Sequence, residues 1–263
     1  MKAEVLFDVR GLVTIVTGAA SGLGLAMAEV MADNGANVTL LDIDANSLEA
    51  AVVTLRARGA TVTPLLVDVS DLDRLSSAID SVAATHGKLD VVFANAGRSA
   101  GPGFAFGSGW IDTVDLATWQ KVLDVNLTSI FVTLQAAARN MKPRRSGRII
   151  VTSSIAGLKS EPQVGYAYAG TKAAVINLVR HAAIELAPHN VLVNAIAPGP
   201  FRTNIAGGRL RDPAIAKVFA DSVPLGRIAE TSELQGLALY LASPASSYVT
   251  GTVIPIDGGT TAT

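Results

Sequence analysis

Thr17-Gly18-Ala19-Ala20-Ser21-Gly22-Leu23-Gly24 follows an apolar run of strand length, Val13–Thr17, and opens a helical pattern, Leu23–Asn34. Glycine permits a tight turn there and lets the backbone come close to a pyrophosphate. A helix that starts at such a turn offers free N–H groups and the positive end of its dipole to phosphate. The spacing is GxxxGxG rather than the commoner GxGxxG, so the strand before it and the helix after it carry the reading. Gly18, Ser21, Gly22, Leu23 and Gly24 are the phosphate-side candidates.

Outward from this turn, the same alternation runs along the chain. Further strand-like runs are Val38–Leu41, Val62–Val67, Val91–Ala94, Arg148–Thr152, Val191–Ala197 and Val253–Ile256. Helical spacing marks Ser47–Arg58, Asp71–Thr85, Leu116–Met141, Tyr166–Leu186 and Ser232–Leu241. Asp71 can cap the third helix, and Gly35 and Gly59 stand just past the first two. Strand–helix alternation implies right-handed crossovers. The expected fold is α/β, doubly wound and Rossmann-type, with a seven-stranded parallel sheet and helices on both faces. One domain over residues 1–263 accounts for the whole pattern.

Composition agrees with strands buried on both faces, since 49% of residues are hydrophobic but only 5% are aromatic. A net charge of −1 gives no electrostatic grip on nucleic acid or an anionic membrane. The basic stretch Lys142-Pro143-Arg144-Arg145 reads as a solvated helix end. There is no cysteine, so disulfides and thiol chemistry are excluded. His86, His181 and His189 are scattered and lack metal-ligand spacing, so no metal is expected. The N-terminus does not read as a signal peptide, and no apolar stretch is long enough to span a bilayer. The expectation is a cytoplasmic protein.

Two Gly-rich stretches, about 98–110 and 200–224, follow strands and so fall at the carboxyl edge of the sheet. The second holds Gly207, Gly208 and Pro213. Both read as binding loops. Asp42 ends the second strand, roughly 20 residues past the glycines, with Ile43 beside it. An acidic group there accepts hydrogen bonds from adenosine ribose hydroxyls and repels a 2′-phosphate, which favours NAD over NADP. Asp44 reads as a helix cap. Asp68 can orient the adenine side with Val69 against the ring, or serve only as a helix-initiating turn with Ser70 and Asp71.

Tyr168-Ala169-Gly170-Thr171-Lys172 puts a phenol and an ammonium on one helix face. A phenol titrates near 10, and a fixed ammonium beside it favours the phenolate. That pairing suits proton exchange with a substrate oxygen. Ser154, just past the fifth strand, adds a hydroxyl for the same oxygen, and Asn126 can hold a relay water.

With these residues assembled, the chain resembles the short-chain dehydrogenase/reductase family over about Gly11 to Gly259. The glycine turn matches the family's TGxxxGxG motif. Asn95-Ala96-Gly97 matches its NAG motif, on the adenine and ribose side. Asn126 stands in Val125-Asn126-Leu127 as the family's active-site asparagine. Ser154 fits the serine-x-x-glycine pattern through Gly157, and Ser153 does not. Tyr168, not Tyr166, stands in YxxxK with Lys172. Pro198, Gly199 and Thr203 match the segment that holds the nicotinamide carboxamide.

The resemblance implies an NAD-dependent enzyme acting on a secondary alcohol or ketone. It makes Tyr168 the general acid/base, with Lys172 lowering the Tyr168 pKa and binding the nicotinamide ribose. Ser154 would position the substrate oxygen, and Asn126 would hold a water path. It also implies a homotetramer built through Leu116–Met141 and Tyr166–Leu186. Two departures stand out: Ala94 occupies a position often held by a second asparagine, and the 98–110 stretch is long.

The alternatives are a 3-oxoacyl-carrier reductase, a sugar or polyol dehydrogenase and a non-catalytic NADH-binding sensor. Phe104, Phe106, Trp110, Ile205, Leu210, Ile215, Val218 and Phe219 suggest an apolar substrate pocket. Ser99, Ser108, Arg202 and Asn204 offer polar groups in the same loops.

Overall fold

The computed structural model describes residues 2–205, 208, 210 and 212–262, and Gly207 of the second loop lies outside them. Strands β1 (Val13–Thr17), β2 (Asn37–Asp42), β3 (Val62–Leu66), β4 (Val91–Ala94), β5 (Gly147–Thr152), β6 (Val191–Pro198) and β7 (Val253–Ile256) form one sheet. Their order is β3-β2-β1-β4-β5-β6-β7, and every adjacent pair is parallel. The chain winds outward from β1 in one direction and from β4 in the other, so a crevice opens above their carboxyl ends.

The helices are α1 (Ala3–Leu6), α2 (Gly22–Asp33), α3 (Ala45–Ala57), α4 (Leu72–His86), α5 (Leu116–Leu123), α6 (Ser129–Met141), α7 (Tyr166–Leu186), α8 (Pro213–Asp221) and α9 (Gln235–Ala242). Residues of α4, α6 and α7 pack with Ile15, Val92, Ile149 and Val193 on one face. Residues of α2, α3 and α9 pack with Val16, Phe93, Ile150 and Ile196 on the other. Adjacent strand residues point to opposite faces, so a strand covered on both sides must be apolar throughout. Burying each such side chain contributes about 1.5–3 kcal/mol. Pro64 and Pro255 fall inside the two edge strands β3 and β7, where a missing N–H costs least, and Pro198 is the last residue of β6.

The expected local signals hold where they can be checked. Asp44 accepts from the Asn46 and Ser47 N–H groups at the start of α3. Asp71 accepts from the Arg74 N–H at the start of α4. Gly35 and Gly59 have φ of +85° and +83°.

Three features differ from the expectation. The short helix α1 was not foreseen. Leu116–Met141 is not one α-helix: a π-helical segment, Asp124–Thr128, separates α5 from α6. And α8 lies inside the stretch read as a loop. Asp212 caps it through the Ala214 N–H, with Pro213 in its first turn, but none of its residues is buried. Ile215, Val218 and Phe219 recur at helical spacing and Asp-Pro is a recognised start signal, so the segment carries helix signals that the surrounding Gly- and Pro-rich stretch obscures.

Candidate active site

Each glycine of the first turn answers a geometric demand. Gly18 and Gly22 have φ of +65° and +57°. Gly24 has no space for a side chain, because a Cβ would overlap the Gly18 carbonyl oxygen. This contact seats α2 against the turn, and no side chain caps the helix at Ser21. Its first N–H groups therefore face the crevice unclaimed by a cap. Asn95 fastens the turn to β4 and β5: its Nδ2 donates to the Thr17 and Gly18 carbonyls, and its Oδ1 accepts from Thr152 Oγ1 at 3.0 Å.

A cavity of about 690 Å³ runs along the crevice. Of the candidate cofactor-binding and catalytic residues, all except Asn126 line it. Asp42 accepts from the Ala20 N–H at 2.9 Å and the Asp44 N–H at 3.0 Å, so it also braces the glycine turn. Asp68 lines the cavity and accepts from the Ser70 N–H and hydroxyl. The two readings of Asp68 are therefore compatible.

Asn126 is fully buried behind Arg98. Its Oδ1 accepts from the Arg98 N–H at 2.8 Å, and its Nδ2 donates to the Arg98 carbonyl at 2.9 Å. The side chain is thus committed to backbone rather than directed at the cavity. The π-helical segment turns it inward, as such segments do at functional sites.

Tyr168 and Lys172 share the inner face of α7, with Lys172 Nζ 5.7 Å from the phenol ring centroid. Lys172 is buried and donates to the Thr152 carbonyl at 2.7 Å. Burial lowers its pKa to about 8, because the ammonium is removed from water. Part of the Tyr168 ring faces the cavity, but its hydroxyl sits among buried groups. Burial pushes that phenol above its usual range, opposed by a hydrogen bond with Ser154. This departs from the expected lowering by Lys172. The ammonium lies over the ring face, and its hydrogen bond goes to Thr152 rather than to the phenol oxygen.

Ser153 and Ser154 separate cleanly. Ser153 Oγ donates to the Lys172 carbonyl at 2.9 Å and ties β5 to α7. Ser154 lines the cavity beside Tyr168, and its Oγ accepts from the Ala156 N–H at 3.1 Å. Gly157 lets this turn lie directly on α7: a Cβ there would stand 2.5 Å from the Lys172 carbonyl oxygen and 2.6 Å from its carbon. Gly157→Ala is therefore expected to lift the turn, draw Ser154 away from Tyr168 and cost about 1–3 kcal/mol through overpacking. The check is a kcat about tenfold lower or worse, with a lowered thermal midpoint and a KM that changes less than kcat.

The two loops meet across the cavity mouth. Ile205, Leu210 and Phe219 line it, as do Ser99 and Asn204. Phe106 packs against Phe219 at 6.2 Å between centroids. Phe104 instead stacks on Trp110 and sits beside Tyr166, away from the lining. Ile215, Val218 and Ser108 also lie off the lining, and Arg202 pairs with Glu230. Among the lining residues that were not anticipated is Glu161. It lies in an irregular segment, where no periodicity marks which way a side chain faces.

Among the described residues no cluster of three or more His, Asp or Glu could hold a metal. None of their helices is long and apolar enough to cross a membrane.

Comparison with known proteins assigns the family. A model described as enoyl-(acyl carrier protein) reductase matches residues 18–261. The chain is 36% identical to cis-4-hydroxycyclohexanecarboxylate dehydrogenase of Sinomonas cyclohexanicum, over 95% of this chain and 96% of that protein. It is 37% identical to cyclohexanol dehydrogenase of Rhodococcus sp. (strain TK6), over 96% and 97% respectively. A crystal structure of a short-chain type dehydrogenase/reductase from Mycobacterium marinum superposes with a TM-score of 0.90 at 36% identity, covering 98% of each chain. The chain belongs to the short-chain dehydrogenase/reductase family. It is an oxidoreductase acting on CH–OH groups, and the family binds a nicotinamide cofactor.

Proposed function

We propose that this protein is an NAD-dependent dehydrogenase of secondary alcohols and the corresponding ketones, with Tyr168 as general acid/base. The observation that carries the reading is that Ser154, Tyr168 and the buried Lys172 line one cavity with the glycine turn, with Lys172 Nζ over the Tyr168 ring. The residues present fit a dinucleotide. The uncapped start of α2 suits its pyrophosphate, Asp42 and Ile43 its adenosine ribose, and Asp68 and Val69 its adenine side. Asn95, Ala96 and Gly97 would line the middle, and Pro198, Gly199 and Thr203 would hold the carboxamide. When bound, the nicotinamide supplies or accepts the hydride.

The chain's own groups then manage the oxygen and its proton. Ser154 orients the substrate oxygen, and Tyr168 gives or takes the proton. Lys172 holds a positive charge over the ring and would bind the nicotinamide ribose. Asn126 positions Arg98 and Gly97, where a Cβ on Gly97 would be 3.5 Å from Asn126 Oδ1 and 3.6 Å from Lys172 Nζ. Its contribution to a proton path would run through the backbone of the π-helical segment, since its side chain is engaged.

NADH formation from NAD⁺ over a panel of cyclic and aromatic secondary alcohols tests the activity. The names of the two dehydrogenase relatives make cyclohexanols the first choice. Silence across the panel with either dinucleotide would sink the proposal.

Asp42 is the basis for preferring NAD. A carboxylate accepting a ribose hydroxyl is worth about 1.5–3 kcal/mol. Asp42→Ala is expected to lower the NAD-to-NADP ratio of kcat/KM by about tenfold or more. Both dinucleotides lose some affinity, because the Ala20 N–H loses its acceptor. An unchanged ratio would remove Asp42 from cofactor selection.

We also infer a cytoplasmic homotetramer. Leu116, Phe131 and Ile184 stand exposed on α5, α6 and α7, the helices that would form the subunit contacts. Light scattering is expected to give the mass of four chains, and a monomeric mass would overturn that inference.

A further inference from the structure

Glu161 is a carboxylate facing a cavity whose neighbouring lining includes Val164, Leu210 and Phe219. Only 13% of its side chain is exposed. Among the described residues its one ion-pair partner is Lys159, at 3.7 Å, beyond a good hydrogen bond. Lys159 spends its short contact elsewhere, donating to the Thr260 carbonyl at 2.7 Å. The nearby Asp257 is already saturated by the Gly259 and Thr261 N–H groups and the Thr261 hydroxyl. Glu161 is thus mostly buried, with acceptor capacity that its neighbours leave largely unused. Burial pushes its carboxyl above the usual range, and Lys159 opposes that shift.

The topology places Glu161 at the substrate end. It lies between Ser154 and Tyr168, in the connection from β5 to α7. Asp42 ends β2 and Asp68 follows β3, on the far side of the β1–β4 switch point. The residues that share the Glu161 end, Phe219, Ser222 and Thr260, follow β6 and β7.

Resting on the dehydrogenase reading above, we propose that Glu161 is a specificity-determining residue that accepts a hydrogen bond from a second hydroxyl of the substrate, making diols the preferred substrates. An ionised carboxylate only accepts, so a hydroxyl satisfies it and a plain hydrocarbon edge leaves it unpaired. A site built around a buried polar group rejects analogues that lack its partner. A substrate carboxylate at this position meets like charge and is disfavoured. The reaction oxidises one carbinol to a carbonyl. Its C–H electron pair leaves as hydride to the dinucleotide, its O–H proton passes to Tyr168, and the second hydroxyl stays intact on Glu161.

The test compares kcat/KM for cyclohexane-1,2-diol, cyclohexanol and 4-hydroxycyclohexanecarboxylate in the wild-type enzyme, Glu161→Gln and Glu161→Leu. Circular dichroism and NADH binding establish that each variant is folded. The wild-type enzyme is expected to favour the diol over cyclohexanol by about tenfold or more. Glu161→Leu brings that ratio near one, chiefly through the diol KM, and Glu161→Gln retains part of it. The carboxylate is the poorest wild-type substrate and improves in Glu161→Gln. If Glu161 serves only to hold Lys159, both variants shift all three substrates equally, and the proposal falls. A wild-type diol preference that survives in Glu161→Leu overturns it as well. Wild-type turnover of cyclohexanol without a diol preference defeats this inference but leaves the dehydrogenase reading standing. Turnover of no alcohol at all defeats both.

Discussion

Tyr168→Phe is expected to reduce turnover by at least about 10²–10⁴-fold, the usual worth of a positioned acid–base group. Its other effects are small, which makes the result diagnostic. The ring stays beneath Lys172, 5.7 Å from Nζ, so the packing of α7 is kept. Ser154 loses one partner but still accepts from the Ala156 N–H. One buried neutral hydrogen bond is worth about 1 kcal/mol, so the melting midpoint moves by a few degrees at most. Dinucleotide affinity, read by NADH fluorescence, is expected to stay within about threefold. Activity retained at the wild-type level would remove Tyr168 from the chemistry.

The wild-type enzyme also carries a directional signature. Burial raises the phenol, so the protonated form dominates at neutral pH. That form is ready to donate to a carbonyl. Alcohol oxidation needs the phenolate, so its rate is expected to climb as pH rises above neutral, while ketone reduction does not climb.

The parts of this molecule that were legible in the sequence are those whose cause is local. β1, β4 and β7 begin and end where their apolar runs do, and the other strands differ by a residue at one or both ends. Buried parallel strands must be continuous in apolar character, and the chain supplies no other place for such runs. The glycine turn was legible because its two positive-φ positions and the Gly24 contact all demand glycine.

What was not legible depends on tertiary contacts. Nothing in Asp-Val-Asn-Leu-Thr distinguishes a π-helical segment from the α-helix around it. The motif that marked Asn126 gave no sign that its amide grips the Arg98 backbone instead of facing the cavity. Helix α8 carries Ile215, Val218 and Phe219 at helical spacing, but it is short, buries no residue and sits in a Gly- and Pro-rich stretch that reads as a loop. The YxxxK spacing placed phenol and ammonium together correctly. It could not reveal that the ammonium bonds the Thr152 carbonyl, leaving burial to set the phenol's titration.

Lys172→Met separates what the site costs from what it does. In the folded chain the ammonium titrates near 8, against 10.5 in the open. That difference amounts to about 3 kcal/mol of destabilisation when the lysine is protonated. Below pH 8 both folded and unfolded chains hold the proton, and the full cost is present. Between 8 and 10.5 the folded chain releases it first. The unfolded chain then binds more protons, so this residue's cost is relieved as pH rises. Methionine removes the charge but leaves the Thr152 carbonyl without its donor, a loss of about 1 kcal/mol. The variant is therefore expected to be more stable than the wild type at pH 7 by about 1–2 kcal/mol. At pH 10 that advantage should be gone or reversed. Denaturant melts of both proteins at the two pH values read this difference directly, and every other titrating group cancels between them. Turnover is expected to fall by about a hundredfold or more at both pH values, because the cation beneath Tyr168 is absent. Equal destabilisation at pH 7 and pH 10 would show that Lys172 serves packing alone. A more stable but inactive variant would show that this fold carries a buried charge for the sake of its chemistry.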